Sequence, residues 1–79
     1  MKLRNVPNES TAAHNAIELN RYRDERFAAK FYGCSVHKLR WLRANDIGPK
    51  YYKLSGHVRY TVADLIAYAE ANAKGGQAA

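Results

Sequence analysis

One cysteine, two prolines and seven acidic residues are all that this 79-residue sequence holds of those types. The lone thiol, Cys34, has no second cysteine for an intramolecular disulfide and cannot supply the ligand set of a finger-type zinc site. Its expected place is that of a small buried hydrophobe. No stretch approaches the roughly 20 apolar residues that span a bilayer. The opening Met1 to Glu9 turns polar before any hydrophobic core forms, so it does not read as a secretory signal. The expected location is the cytoplasm. Catalytic chemistry has little to stand on. Asp24, Glu25, Asp46 and Asp64 each fit a helix cap or a loop. His14, His37 and His57 have no ligand spacing, and no glycine loop is built to cradle a phosphate. No catalytic residue, metal or cofactor is expected.

What is present is positive charge. Thirteen Lys and Arg give a net charge of +6. The excess is concentrated in residues 21–59, which carry ten basic residues (Arg21, Arg23, Arg26, Lys30, Lys38, Arg40, Arg43, Lys50, Lys53, Arg59) against Asp24, Glu25 and Asp46. Such segregation points to a polyanion, nucleic acid first and an anionic membrane surface second.

The length allows one domain. Residues 1–20 read as an arm, loose over 1–9, with Ser10 or Thr11 placed to cap a short helix through Ala12–Leu19. Residues 74–79 read as a disordered tail. Between them, over 21–73, the punctuation is sharp. Asp24 is placed to cap a helix that carries Ala28, Ala29 and Tyr32 on its apolar stripe, with Arg23, Arg26 and Lys30 opposite, and that Gly33 ends. Ser35 is placed to cap a second helix, with Val36, Leu39 and Leu42 buried and His37, Lys38, Trp41 and Asn45 outward. That helix should fade near Asn45-Asp46, ahead of Gly48-Pro49. Ser55-Gly56 separates two strand-forming arms as a hairpin turn that sets Lys53 opposite Val58 and Tyr51 opposite Tyr60. Tyr51, Val58 and Tyr60 are expected inward. Thr61 and Asp64 have the spacing of a capping box, opening a third helix with Val62, Leu65, Ile66 and Ala69 as its apolar face and Tyr68 at its edge. The predicted fold is mostly α with a small β-hairpin, a winged helix-turn-helix.

In that geometry the second helix enters the major groove of DNA. Its candidate contacts are Ser35, His37, Lys38, Trp41 and Asn45, with Arg40 and Arg43 better suited to phosphates. The hairpin is the candidate wing, through Lys53, Ser55, Gly56, His57 and Arg59. The partner is double-stranded DNA, not a membrane. A protein-interaction module using Trp41 and Tyr52 as aromatic anchors is the reading of another class.

The stretches Ala28-Ala29-Lys30-Phe31-Tyr32-Gly33-Cys34-Ser35, Leu39-Arg40 with Arg43, Gly48-Pro49-Lys50-Tyr51-Tyr52-Lys53-Leu54, Val58-Arg59-Tyr60 and Asp64-Leu65-Ile66-Ala67-Tyr68 resemble the excisionase-type, MerR-like winged helix-turn-helix family over residues 22–69. The resemblance implies a helix pair, a wing and a closing helix. It also implies a recombination directionality factor that binds and bends DNA near an attachment site to favour excision by a partner integrase, with head-to-tail self-association on DNA as a family-based possibility. A small transcriptional regulator of a mobile element is the alternative with the same domain. The sequence departs from the family pattern at Arg23 (commonly hydrophobic), Leu42 and Tyr68 (commonly tryptophan) and Asp46 (near a common glycine).

Overall fold

The computed structural model of the chain describes residues 9–75. In order it has helix α1 (Glu9–Asn20), strand β1 (Tyr22–Arg23), helices α2 (Glu25–Tyr32) and α3 (Val36–Ala44), strands β2 (Tyr52–Leu54) and β3 (His57–Thr61), and helix α4 (Val62–Ala71). The domain is mostly helical, with a three-stranded antiparallel sheet in the order β1-β3-β2. No helix among the described residues is long and apolar enough to cross a membrane. Residues 1–8 and 76–79, where loose ends are expected, lie outside the described residues. The first helix begins at Glu9, so Ser10 and Thr11 fall inside it and do not cap it.

The three expected caps form. The Asp24 carboxylate accepts from the Phe27 N–H at 3.0 Å, Ser35 Oγ from the Lys38 N–H at 3.0 Å, and Thr61 Oγ1 from the Asp64 N–H at 3.1 Å. Each such cap contributes about 1 kcal/mol. The box at α4 closes differently from the usual pattern: the Thr61 hydroxyl donates to Asp64 Oδ2 at 2.8 Å, and the Tyr52 hydroxyl donates to the same oxygen at 3.2 Å. At the end of α2, Gly33 is left-handed (φ 71°). Its N–H reaches the Lys30 carbonyl at 3.1 Å, and the Cys34 N–H reaches the Ala29 carbonyl at 2.9 Å. This pair of bonds is a Schellman stop. It corrects the expectation for Cys34, which is exposed. Its backbone closes the cap while its side chain faces away from the core.

Ala28, Ala29, Leu39, Tyr60 and Leu65 form the buried core, ringed by Phe27, Tyr32, Val36, Leu42 and Val58. Small alanines on α2 let α3 come close enough for Leu39 to disappear from solvent. Burying a side chain such as Leu39 or Leu65 stabilises the fold by roughly 1.5–3 kcal/mol. On α4 the apolar face is narrower than the sequence suggests. Val62, Leu65 and Tyr68 turn in at i, i+3, i+6, whereas Ile66 and Ala69 are exposed.

The hairpin has the expected register, with Lys53 opposite Val58 and Leu54 opposite His57. Ser55 and Gly56 both have positive φ, 52° and 82°, the requirement of a type I′ turn that matches strand twist. Tyr60 and Val58 turn inward as expected. Tyr51 does not: it lies ahead of β2 and is 41% exposed, its ring 6.4 Å from that of Tyr60. The sequence reading also missed β1. Tyr22 pairs with Thr61 and Arg23 with Tyr60, which makes β3 the central strand. Tyr22 then meets Tyr52 edge to face at 5.2 Å, and the Arg23 guanidinium lies 4.0 Å from the centre of the Phe27 ring. Arg23 therefore covers an aromatic ring through its planar cation.

The segment after α3 reverses on two left-handed residues, Asp46 (φ 61°) and Gly48 (φ 99°). Asp46 adopts the backbone conformation that a glycine would take more easily. At Gly48 there is no room for substitution, because a Cβ would stand 2.9 Å from Leu42 Cβ. Gly48→Ala is expected to destabilise by about 2 kcal/mol, a loss of roughly 8–16 °C in a thermal melt of a domain this size. An unchanged melting temperature would show that Leu42 can move aside.

Candidate nucleic-acid interface

α3 crosses α2 so that Val36, Leu39 and Leu42 face the core. The helix period then puts His37, Lys38, Trp41 and Asn45 outward, and all four are exposed. Trp41, the chain's one tryptophan, is 51% exposed, and Lys38 Nζ sits 4.9 Å from its ring centre. This contact holds an ammonium beside an aromatic face without consuming its charge. Two of the predicted contacts are already occupied by local bonds. Ser35 Oγ caps α3, and Asn45 Nδ2 donates to the Trp41 carbonyl at 2.8 Å.

The hairpin stands beside this helix. An open cleft of about 730 Å³ separates them, with Val36, Arg40 and Arg43 of α3 on one wall and Gly56, His57, Val58 and Arg59 of the hairpin on the other. The start of α2, Asp24 to Arg26, closes one side. Lys53 and His57 are exposed next to the Ser55-Gly56 tip. Arg59 is half-buried and donates to the Val58 carbonyl at 2.9 Å. Of the predicted contacts, the cleft thus brings together Arg40 and Arg43 of α3 with Gly56, His57 and Arg59 of the hairpin; His37, Lys38, Trp41 and Asn45 are exposed on α3 but do not line it.

Arg40 and Arg43 behave otherwise than free phosphate ligands. Arg40 Nη2 and Nε reach the two oxygens of Glu25 at 2.6 and 3.3 Å. Arg43 Nη2 reaches Glu25 Oε1 at 3.2 Å, and its Nη1 donates to the Tyr60 hydroxyl at 2.8 Å. Arg40 remains 61% exposed, but Arg43 is 17% exposed and faces inward. Glu25 therefore joins α2 to α3, and Arg43 carries the link on to β3. Sequence reasoning gave Glu25 only a place in a helix cap or a loop. The partners lie 15 and 18 residues away, and no local pattern marks such a cross-link.

The charges respond accordingly. The Arg40 hydrogen bonds, followed by those of Arg43, outweigh partial burial and hold the Glu25 carboxyl below its ordinary value. Glu25 in turn raises Arg40. Burial works against the Arg43 charge, but Tyr60 and Glu25 outweigh it and keep that guanidinium above its usual pKa. At Asp24 the Phe27 N–H is the main cause of a lowered carboxyl.

Other cations differ in their partners. Arg21 and Arg23 share Glu18, and Arg26 approaches Asp24 at 3.7 Å while 84% exposed. Among the described residues no ion pair joins Lys30, Lys38, Lys50 or Lys53 to a carboxylate. Lys50 rests near the Tyr52 ring at 5.3 Å. Tyr52 is half-buried between Tyr22 and Asp64, which leaves Trp41 as the more accessible of the two aromatic anchors considered. Among the described residues no group of three His, Cys, Asp or Glu side chains could hold a metal ion. No protein-family model matches the chain, and no curated protein matches it.

The Glu25 pairs give a pH-dependent term in stability. Its folded pKa lies below the ordinary 4.5, so the stabilisation is complete above that value and is lost as pH falls through the lowered one. Glu25→Gln should cost about 1–2 kcal/mol at pH 7, between an exposed and a buried pair, since Arg43 loses a partner inside the fold. Thermal melts of the two proteins should converge as the pH is taken well below 4.5. A gap that persists in acid would assign the loss to packing instead.

Proposed function

We propose that this protein binds double-stranded DNA as a winged helix-turn-helix, with α3 in the major groove and the β2–β3 hairpin as the wing. The observation that supports this reading is the cleft lined by Arg40 and Arg43 of α3 and by His57 and Arg59 of the hairpin, within the segment that holds the charge excess. Lys38, Trp41 and His37 are the side chains best placed to meet base edges. Lys53 and His57 at the hairpin, with Arg26 beside the cleft, are suited to phosphates. Binding of this kind releases counterions, so affinity falls steeply with salt.

The physiological role that fits best is that of an excisionase-like recombination directionality factor, bending DNA near an attachment site and acting with a partner integrase. This role rests on the sequence resemblance over residues 22–69. Control of transcription would use the same contacts. An excision assay with the integrase, run beside promoter-occupancy measurements, separates the two.

Binding itself is read from the single tryptophan and from affinity. Titration with duplex DNA at low salt should change Trp41 fluorescence, because the ring is half exposed on the proposed contact face. Lys38→Ala should cost about 1–3 kcal/mol at a preferred site and less on random sequence, as expected for a good base contact. Equal losses on both would remove Lys38 from the reading face, and no binding at low salt would reject the function.

A further inference from the structure

The pairing of arginines near the cleft is uneven. Arg43 is locked between Tyr60 and Glu25 inside the fold, while Arg40 reaches the same carboxylate from an exposed position on the cleft wall. Arg40 meets Glu25 through Nη2 and Nε, the forked geometry that a guanidinium also offers to phosphate. The Nε–Nη2 edge cannot grip both anions at once, and a phosphate on the Nη1 side meets a guanidinium whose charge Glu25 already offsets. Glu25 is not free to follow Arg40 outward, because Arg43 holds its Oε1 from the protein side. A phosphate arriving in the cleft therefore meets an arginine that is accessible but already engaged.

We propose that Glu25 is a built-in competitor of DNA phosphate for Arg40: fixed by Arg43, it holds the Arg40 guanidinium until a phosphate displaces it, and so limits sequence-independent binding. This rests on the DNA-binding reading above. A carboxylate near DNA also repels phosphates at a distance, whatever its neighbours, and that effect does not need Arg40. Local capture does need it, which makes the two separable. The pair is exposed on its Arg40 side, so the barrier to displacement is small and binding is restrained without being blocked.

The test is the affinity of four full-length proteins for a random-sequence duplex across a salt series: wild type, Glu25→Gln, Arg40→Ala and the double variant. Glu25→Gln should bind about two- to five-fold more tightly than wild type, the worth of an exposed ion pair expressed as affinity. With Arg40→Ala already present, the same substitution should change affinity by less than about two-fold. A gain of equal size in both backgrounds would reduce Glu25 to simple repulsion and overturn the proposal. So would no gain at all. If wild type binds no duplex at low salt, the DNA-binding reading falls and this inference falls with it; binding without the Arg40-dependent gain rejects the inference alone. A measurement on the wild type guards against loss of folding in the variants. The Arg40 side-chain Nε–H resonance should shift on addition of the duplex while that of Arg43 stays in place. An Arg40 resonance unmoved at saturation would show that Glu25 never releases it.

Discussion

The hydrogen bond from Arg43 to the buried Tyr60 hydroxyl is the contact on which the arrangement of this domain depends. Tyr60 is fully buried at the centre of the sheet, and few other side chains are buried to that degree. Apolar burial supplies most of the stability of a small domain, but it is non-directional. It does not by itself decide how a helix is rotated against a strand. The bond at 2.8 Å does, because a guanidinium donates in fixed directions from a planar fork. Its second arm reaches Glu25, which fixes the start of α2 as well. One arginine thereby orients α2, α3 and β3, and that orientation sets the width of the cleft between α3 and the hairpin.

A second polar link acts at the other end of the sheet. The Tyr52 hydroxyl meets Asp64, whose carboxylate also receives the Thr61 hydroxyl. The hairpin is thus tied to the first turn of α4, and β1 closes the far edge through Tyr22 against Tyr52. Tyr32 gives a third tie, donating to the Leu65 carbonyl at 2.6 Å; burial pushes its hydroxyl pKa up to about 12, so the donor stays protonated over the neutral range. Each link satisfies a polar group that burial would otherwise leave unpaired, a shortfall that costs about 1–3 kcal/mol.

The parts of this structure legible in the sequence are those decided within a few residues. Asp24, Ser35 and Thr61 cap helices because an oxygen three residues before an N–H needs no distant partner. Gly33 stops a helix and Ser55-Gly56 turns a hairpin for equally local reasons, and the two-residue loop then sets the register. What escaped depends on contacts between distant segments. β1 is two residues long and exists only because β3 lies beside it. Ile66 has the spacing of an inward residue, yet α4 meets the core along a narrower face. Cys34 was misplaced by composition, since its residue type favours burial while its position after a Schellman glycine turns it outward. For the candidate interface, helical periodicity was enough to identify His37, Lys38 and Trp41 as outward. It could not show that Arg43 is an internal tie.

That distinction changes what the charge excess means. Counting residues treats ten cations between 21 and 59 as equivalent. The fold sorts them by chemistry. Five of its six arginines, which carry planar forks suited to carboxylates, are drawn to Glu18, Asp24 and Glu25, while Arg59 donates to the Val58 carbonyl. Its lysines, compact and strongly hydrated, stay away from carboxylates, and two rest near aromatic rings that leave the ammonium charge unspent. A polyanion approaching the α3 face would meet the lysines as open charges and Arg40 as a contested one. The Glu25 carboxylate also helps hold α2 against α3, so under the proposed reading stability of the fold and strength of phosphate binding would pull on Glu25 in opposite directions. A residue placed for stability alone could sit deeper, and one placed for binding alone would not be acidic. Glu25, which lines the cleft, would meet both demands in part.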